Sequence, residues 1–487
     1  MKFFRILLLF TLLLSSCIPQ QKAQIPEKIS IAYAEPLTSF SPLDYSANNR
    51  KYLSNIYETL VRYDKTFDYD SSLALSWGRF DDLTWEFRLR PEVIFQDGNS
   101  FDAEDVVYSI TTAMTDNSSQ LKSLLNNIDK IEKVDDYKVR IFTKSPDPLL
   151  LNKLVNVYIF QSNYTDFNTP IGTGPYYIKS SESANITLER FDSYWGPSPY
   201  YKEAFLTAIT DPELRLSAIL SNEVQVLANV PPQYVEEMEE SGVDVQDFPN
   251  LEVSSLMFNF IGIFSDKNLR EAVYYALATD YAEEFGSGYL LSTDQFSASG
   301  MSGYSRKLTD RNQNVETAIE FRSKYKGEVN VTLDVPTGLE KLAEKVKLDL
   351  AAANINVTVL VSNPSYFQNK ILAGESDFYF FGWKYDLADV SDFFETVVHS
   401  QVGAYGSFNG MSYSDVDVDE YIDQASQLLD VSERQDVLAL ISKRILEDRI
   451  GVPLFESELL YGIRPEVIWD IRLDGQILAS EIVGKGV

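Results

Sequence analysis

The residues best suited to chemistry lie at 382–394, where the chain reads GWKYDLADVSDFF. This stretch follows DFYFF at 377–381, whose aromatic character and low charge predict a buried strand. Gly382 would allow another backbone to approach closely, and Asp386 would then stand where water is scarce. A buried carboxylate is costly unless a cation or several donors meet it. We interpret the missing cation as a ligand ammonium group, with capping of the following helix by Asp386 as the alternative.

Motifs for catalysis or metal binding do not accompany this acid. The chain has one histidine, His399, which is expected on a helix surface, and no Gly-x-Ser-x-Gly sequence. Gly172 and Gly174 form a turn without the third glycine of a dinucleotide-binding motif. With one histidine and one cysteine a transition-metal cage is not expected. The sequence therefore predicts no catalytic residue, no resident metal and no cofactor, although 72 acidic residues always leave some pair available for a glycosidase.

Composition and charge limit the possible partners. The chain has 487 residues, which predicts two or three domains, and its 45% hydrophobic content is sufficient for a large core. It carries 42 Lys and Arg against 72 Asp and Glu. Such a charge repels phosphate backbones, so nucleic acid is not an expected partner. A solvated acidic surface that favours solubility explains most of this charge, and a preference for cationic ligands is the second explanation.

The N-terminus is typical of a secretion signal. Lys2 and Arg5 precede an apolar run at 6–14, which is far shorter than the roughly 20 residues of a membrane-spanning helix. The run ends in LSSC, which resembles the lipobox of bacterial lipoproteins, and Cys17 is the only cysteine in the chain. We therefore expect a signal peptide at 1–16, lipidation of Cys17 and a flexible tether at 17–26. These features predict a bacterial cell-envelope protein that works outside the cytoplasm.

Periodicity predicts a mixed α/β chain around the 382–394 stretch. Asp102 and Asp266 each precede an apolar pattern with helical spacing and are expected to cap helices. Residues 329–361 predict a β-strand, a helix and a second strand, with a parallel crossover. Tyr52, Leu53, Ile56, Tyr57 and Leu60 also recur at helical spacing, so a helix is expected across them.

Several stretches in order resemble the peptide/nickel-binding class of ABC-importer solute-binding proteins, many of which are lipoproteins. The first matching stretch, at 72–110, contains SLALSWGRFDDLTWEFRLRPEVIFQDGNSFDAEDVVYSI. The others are GTGPYYI at 172–178, LERFDSYWG at 188–196, FNFIGIFSDKNLREAVYYALATD at 258–280 and GWKYDLADVSDFF at 382–394. The resemblance spans nearly the whole chain after the signal segment.

The resemblance implies an α/β, two-lobe periplasmic-binding-protein fold with a hinge and an extra small α/β domain. Lobe I would comprise 27–57, 164–255 and 461–487, the small domain 58–163, and lobe II 256–460. A peptide or other small solute would be enclosed between the lobes and delivered to an ABC permease by a monomer attached to the membrane through its lipid.

The resemblance also implies site residues. Gly382 and Lys384 would bind the ligand through their main chain, and Asp386 matches the aspartate that peptide binders use for the α-ammonium group. Tyr45, Ser46 and Ala47 would line the opposite edge, and Trp383 would stack on the ligand or pack in the core.

This sequence departs from the peptide binders after Asp386. Leu387 stands where tyrosine is usual, and Asp389-Val390 replaces Asp-Pro. Family relatives carry oligosaccharides or nickel chelates on the same scaffold, so a non-peptide solute is an alternative. A secreted hydrolase or surface adhesin that keeps the scaffold is a third possibility.

Overall fold

The computed structural model describes residues 27–182, 184–305, 311–403 and 405–485. The predicted signal peptide at 1–16, Cys17 and the tether at 17–26 lie outside these residues. Within them, no helix has the length and apolar character needed to cross a membrane.

Strands of the described residues are numbered in chain order. They are β1 Lys28–Tyr33, β2 Glu58–Thr59, β3 Val61–Tyr63, β4 Tyr69–Ser71, β5 Ala74–Asp81, β6 Thr84–Leu89, β7 Ile128–Asp135, β8 Lys138–Thr143, β9 Tyr158–Ile159, β10 Tyr176–Glu182, β11 Asn185–Arg190, β12 Glu203–Ala208, β13 Val226–Ala228, β14 Asp244–Phe258, β15 Leu290–Ser292, β16 Asn330–Pro336, β17 Asn356–Ser362, β18 Phe378–Lys384, β19 Gly451–Ile463, β20 Val467–Ile468 and β21 Val483–Gly484.

Helices are numbered in the same way. They are α1 Ala47–Leu53, α2 Ala103–Thr115, α3 Leu150–Leu154, α4 Pro212–Leu220, α5 Val235–Glu240, α6 Lys267–Ala276, α7 Tyr281–Gly286, α8 Val315–Lys324, α9 Glu340–Ala352, α10 Pro364–Leu372, α11 Ser391–Phe393, α12 Val416–Ala425 and α13 Val431–Asp448. A π-helical turn, Phe394–Val398, continues α11. The mixed α/β class predicted from the sequence is confirmed.

One large sheet runs through the molecule in the order β10-β11-β12-β1-β13-β19-β14-β18-β16-β17, and β15 adds to β19. Its centre is the antiparallel pair of long strands β14 and β19, which pair from Asp244 opposite Ile463 to Met257 opposite Gly451. A second sheet, β5-β6-β8-β7, is separate. The pair β14–β19 thus connects the two ends of the large sheet.

Buried side chains form separate cores at the two ends of β14 and β19. The first core draws on residues 29–228 and 461–482, and it includes the four-stranded sheet. The second core draws on residues 251–455 in two adjoining clusters. The predicted lobe boundaries at 255/256 and 460/461 fall inside β14 and β19, so continuous strands cross there. The boundaries themselves stay a prediction.

Local sequence signals agree with the structure at several helices. The carboxylate of Asp102 accepts the Glu104 amide, and Asp105 completes a capping box at the start of α2. Asp266 accepts the Asn268 amide at the start of α6. β16, α9 and β17 form the predicted crossover, with β16 and β17 parallel. These predictions are confirmed.

The helix predicted across residues 52–60 is wrong beyond Leu53. α1 ends there, and Asn55 turns its amide to the carbonyl of Ile477 and accepts the Ala479 amide. The chain then forms β2, which pairs with β9. The apolar spacing reflects burial in the first core rather than a continuous helix. Gly172 belongs to this corner, because a Cβ on it would lie 2.0 Å from the Ile56 carbonyl oxygen.

Candidate functional site

A cavity lies between the first and second cores, on one side of the β14–β19 pair. The first core contributes Tyr45 and three residues of α1, Ala47, Arg50 and Lys51. The second core contributes Lys384 and Asp386, from the end of β18 and the loop after it. The structure therefore brings together four of the predicted site residues, Tyr45, Ala47, Lys384 and Asp386.

The edge of β18 next to this cavity is free of strand partners among the described residues. β16 pairs with β18 only as far as Tyr379. On the other edge, Tyr385 donates its amide to the Leu251 carbonyl just beyond β14. Because the main-chain groups of a strand alternate between its two edges, Gly382 and Lys384 direct theirs away from β14. These two residues thus have main-chain donors and acceptors suited to an added strand.

Asp386 lies in a tight turn at the end of this strand. Its side chain is exposed within the cavity, and its carboxylate makes no hydrogen bond or ion pair with any described residue. The expectation that Asp386 is shielded from water is therefore wrong for this structure. The reason is the turn that follows Asp386. The Ala388 amide donates to the Tyr385 carbonyl at 3.0 Å, and Ala388 has a φ of 52°. The chain therefore reverses, and the next acid, Asp389, points into the protein instead.

The buried acid of the loop is Asp389. Its carboxylate is held by both terminal nitrogens of Arg434 on α13, at 2.7 and 2.8 Å, and by the Ser391 amide at 2.9 Å. Burial opposes the charged form, but the hydrogen bonds from Arg434 outweigh it and hold the pKa of Asp389 below its usual range. The bond to Ser391 also makes Asp389, not Asp386, the acid beside the helix start, so the capping alternative for Asp386 is wrong.

Two further acids behind the cavity are poorly solvated. Burial raises the pKa of Asp392 to about 7, and the negative charge of Asp386 adds to the effect. Burial also raises the pKa of Glu395 to about 7, although the positive charge of Lys153 lowers it in part. The negative charges of Asp386 and Asp392 thus repel each other, and a cationic group at this end of the cavity would relieve that repulsion.

Side chains from the first core make hydrogen bonds to the loop that carries Asp386, which belongs to the second core. Asn152 on α3 donates to the Leu387 carbonyl at 2.8 Å and to the Tyr63 hydroxyl at 3.1 Å, and it accepts from the Tyr69 hydroxyl at 2.6 Å. Tyr63 also reaches the Leu387 carbonyl, at 3.4 Å. We call Asn152, Tyr63 and Tyr69 the closure contact. It joins the first core to the residue that follows the candidate ligand-binding acid.

The remaining predicted residues have other positions. Ser46 caps α1 by accepting the Asn49 amide, and it does not line the cavity. Trp383 packs between Phe381 and Phe408, with ring centroids 5.9 and 5.8 Å away, which supports its interpretation as a packing residue. Neither Gly382 nor Trp383 is part of the cavity wall, although Gly382 lies on the free strand edge.

The expected surface position of His399 is wrong. Its ring is buried, stacks on Tyr405 with centroids 4.3 Å apart, and places Nδ1 2.8 Å from the Ser400 carbonyl oxygen. Among the described residues, no group of three or more His, Cys, Asp or Glu side chains could hold a metal ion.

Sequence reasoning missed Arg434, Asn152, Arg50 and Lys51. Arg434 looks like a solvated helix arginine, and Asn152 lies in a short apolar helix, so neither carries a local signal. Arg50 and Lys51 follow the loop that includes Tyr45. Both residues lie one turn into α1, the helix that follows Tyr45. This closeness in the chain was the available signal that a site at Tyr45 would extend to them.

Comparisons with known proteins agree with this architecture. Residues 68–405 match the family model described as bacterial extracellular solute-binding proteins, family 5 middle. The nickel-binding protein NikA of Staphylococcus aureus is 27% identical over 78% of this chain and 79% of its own length. The dipeptide-binding protein of Escherichia coli is 23% identical over 72% of this chain and 74% of its own.

A solved structure, the periplasmic binding protein DppA of Helicobacter pylori in complex with the peptide STSA, superposes with a TM-score of 0.79. It is 22% identical and covers 95% of this chain and 98% of its own. The likeness confirms the predicted periplasmic-binding-protein fold, and the relatives are solute-binding proteins rather than enzymes. This chain belongs to the family 5 bacterial extracellular solute-binding proteins and is a solute-binding protein of the ABC-importer type.

Proposed function

We propose that this chain is a lipid-anchored receptor that captures peptides between its two lobes and delivers them to an ABC permease. Lipid on Cys17 would hold the monomer at the membrane outside the cytoplasm, with the tether at 17–26 giving it reach. The lobes would be 27–57, 164–255 and 461–487 for lobe I and 256–460 for lobe II, with 58–163 as the small domain.

The observation that carries this proposal is the position of Asp386. A carboxylate that makes no hydrogen bond or ion pair with a described residue stands at the end of a strand, and the edge of that strand left free by the described residues offers the main chain of Gly382 and Lys384. An extended peptide would add to that edge as a strand. Its ammonium group would then meet Asp386 near Asp392, where it would relieve the repulsion between the two carboxylates. Tyr45, on the opposite wall, would cover the peptide.

Relatives support the peptide assignment and also a second candidate. The Escherichia coli relative is a dipeptide-binding protein, and the Helicobacter pylori structure holds a peptide. The Staphylococcus aureus relative binds nickel, however, and it covers more of this chain. A nickel chelate that brings its own ligands is therefore the second candidate, because the cavity wall supplies no histidine.

Asp386→Asn is the decisive variant. A bound peptide would cover Asp386 and exclude water from it, and removing one partner of such a desolvated charge pair costs about 2–5 kcal/mol, or roughly 30- to several-thousand-fold in affinity. Isothermal titration calorimetry with a pool of di- to pentapeptides should show this loss. Acetylation of the peptide N-terminus should weaken binding to the wild type to a similar extent. The matched control is Asp436→Asn, an exposed acid on α13, which should bind like the wild type.

Equal affinity of free and acetylated peptides would contradict the role of Asp386. Native mass spectrometry of the purified protein distinguishes the candidates directly, since a co-purified peptide and a nickel chelate differ in mass. Cys17→Ser should move the protein from the membrane fraction to the soluble fraction, and an unchanged distribution would contradict lipid anchoring.

A further inference from the structure

Three cationic side chains line the cavity, and none of them is held in an ion pair by a described residue. Arg50 and Lys51 lie on α1, and Lys384 lies across the cavity at the end of β18. None of the three makes an ion pair or a side-chain hydrogen bond within the described part of the chain, although Glu252 lies opposite Lys384 in the β14–β18 pair and its charge is attracted to that lysine. The guanidinium carbon of Arg50 lies 5.8 Å from the centroid of the Tyr45 ring.

Other arginines of the same cavity wall are paired. Arg62 binds Asp70 at 2.8 Å, and Arg472 binds Asp474 at 2.7 Å and Glu481 at 3.0 Å. The whole chain has 72 acidic residues for 42 basic ones, so carboxylates are abundant. The three cations without an ion pair therefore differ from the paired arginines of the same cavity wall.

Of the three cations, Lys51 shows the clearest effect of this arrangement on its pKa. It is half-buried, and burial lowers its pKa to about 8, with the positive charge of Lys384 acting in the same direction and Glu35 only partly opposing it. Two like charges that face each other across a cavity disfavour the closed arrangement. An anion placed between them would remove this repulsion and regain hydrogen bonds for both ammonium groups.

We propose that Arg50, Lys51 and Lys384 form a subsite for an oxyanion of the ligand, which in a peptide is the C-terminal carboxylate. The inference rests on the proposed function and adds to it that the ligand is dipolar. Lys384 ends β18, and Asp386 lies two residues further along the chain on the same cavity. The two charged ends of the ligand would therefore bind close together, which favours a short peptide.

The test compares each peptide as its free acid and as its C-terminal amide. Di- and tripeptides, each in both forms, are first screened with the wild-type protein by thermal shift, and the strongest binders are measured by calorimetry. The free acid should bind about tenfold or more tightly than its amide. Arg50→Gln, Lys51→Gln and Lys384→Gln should each reduce that preference, and the triple variant should abolish it.

The control is Lys443→Gln, an exposed lysine on α13 remote from the cavity, which should keep the full preference for the acid. Folding of the cavity variants is checked by their melting temperatures without peptide, which should stay within a few degrees of the wild type, since none of the three side chains makes an ion pair or a side-chain hydrogen bond with a described residue. The comparison of acid and amide on the wild type needs no variant.

Each outcome bears on a different proposal. Equal binding of acid and amide by the wild type would overturn the oxyanion subsite and leave the peptide receptor in place. A preference for the acid that survives the triple variant would also overturn the subsite. If neither form of any peptide binds, in this screen or from the di- to pentapeptide pool, the peptide function itself is overturned, and the subsite with it.

Discussion

Asp389→Asn is expected to destabilise the second core by about 3–5 kcal/mol, the usual cost of removing one partner of a buried ion pair. The Asp389 and Arg434 side chains are only 3% and 7% exposed, and they are joined by two hydrogen bonds of 2.7 and 2.8 Å. Asparagine keeps the shape of the side chain but leaves the guanidinium charge buried without compensation. For a cooperative unit of about 200 residues this corresponds to roughly 6–20 °C in melting temperature.

Thermal and urea unfolding, followed by circular dichroism and tryptophan fluorescence, measure this loss. The matched control is Asp470→Asn, which breaks the surface pair with Lys65, whose side chains are 74% and 44% exposed. Surface pairs contribute about 0–1 kcal/mol, so this variant should melt within a few degrees of the wild type. Peptide affinity should also fall in Asp389→Asn, because the pair anchors the loop that carries Asp386.

A double-mutant cycle measures the interaction free energy between Asp389 and Arg434 separately from their other contacts. Asp389→Leu combined with Arg434→Met removes both charges, and such replacements are often neutral or stabilising. The double variant should therefore be more stable than either single variant, with a coupling free energy of about 2 kcal/mol or more. A coupling below about 0.5 kcal/mol, or an Asp389→Asn effect no larger than that of Asp470→Asn, would refute the reasoning.

Two further predictions concern the cavity. Burial raises the pKa of Asp392 to about 7 in the folded protein, so its neutral form contributes stability at low pH that is lost as the pH rises from about 4, the usual pKa of an aspartate, to 7. Asp392→Asn should therefore raise the melting temperature at pH 8 and have little effect at about pH 4, and an equal gain at both pH values would contradict this. Asn152→Ala removes the 2.8 Å hydrogen bond to the Leu387 carbonyl and should weaken peptide binding about five- to thirtyfold. Small-angle X-ray scattering should show a larger radius of gyration for this variant, and unchanged scattering and affinity would argue against the closure contact.

Much of the fold was predictable from the sequence. The caps at Asp102 and Asp266 and the crossover from β16 to β17 rest on hydrogen bonds and apolar periods within a few residues of each other. The helix predicted across residues 52–60 was wrong because burial in the first core produces the same apolar spacing. Periodicity alone does not distinguish these two causes.

The candidate site was predictable only in part. Tyr45, Lys384 and Asp386 do meet at one cavity, but the exposure of Asp386 was not foreseen. Asp389 was noticed only as a departure from the family, and its role depends on Arg434, 45 positions later in the chain. No local pattern connects residues at that separation.

The sequence by itself determined the family, the α/β class, the helix starts at Asp102 and Asp266 and the stretch that carries the candidate ligand-binding acid, because these depend on patterns and motifs within short segments. Only the tertiary structure decided which acid of that stretch is buried and which faces the cavity, since a single turn at Ala388 separates them. It also decided that the cations of α1 face Lys384 and that Asn152 reaches Leu387, 235 positions away. Such contacts depend on how the two cores pack on β14 and β19, which no spacing within one segment can encode.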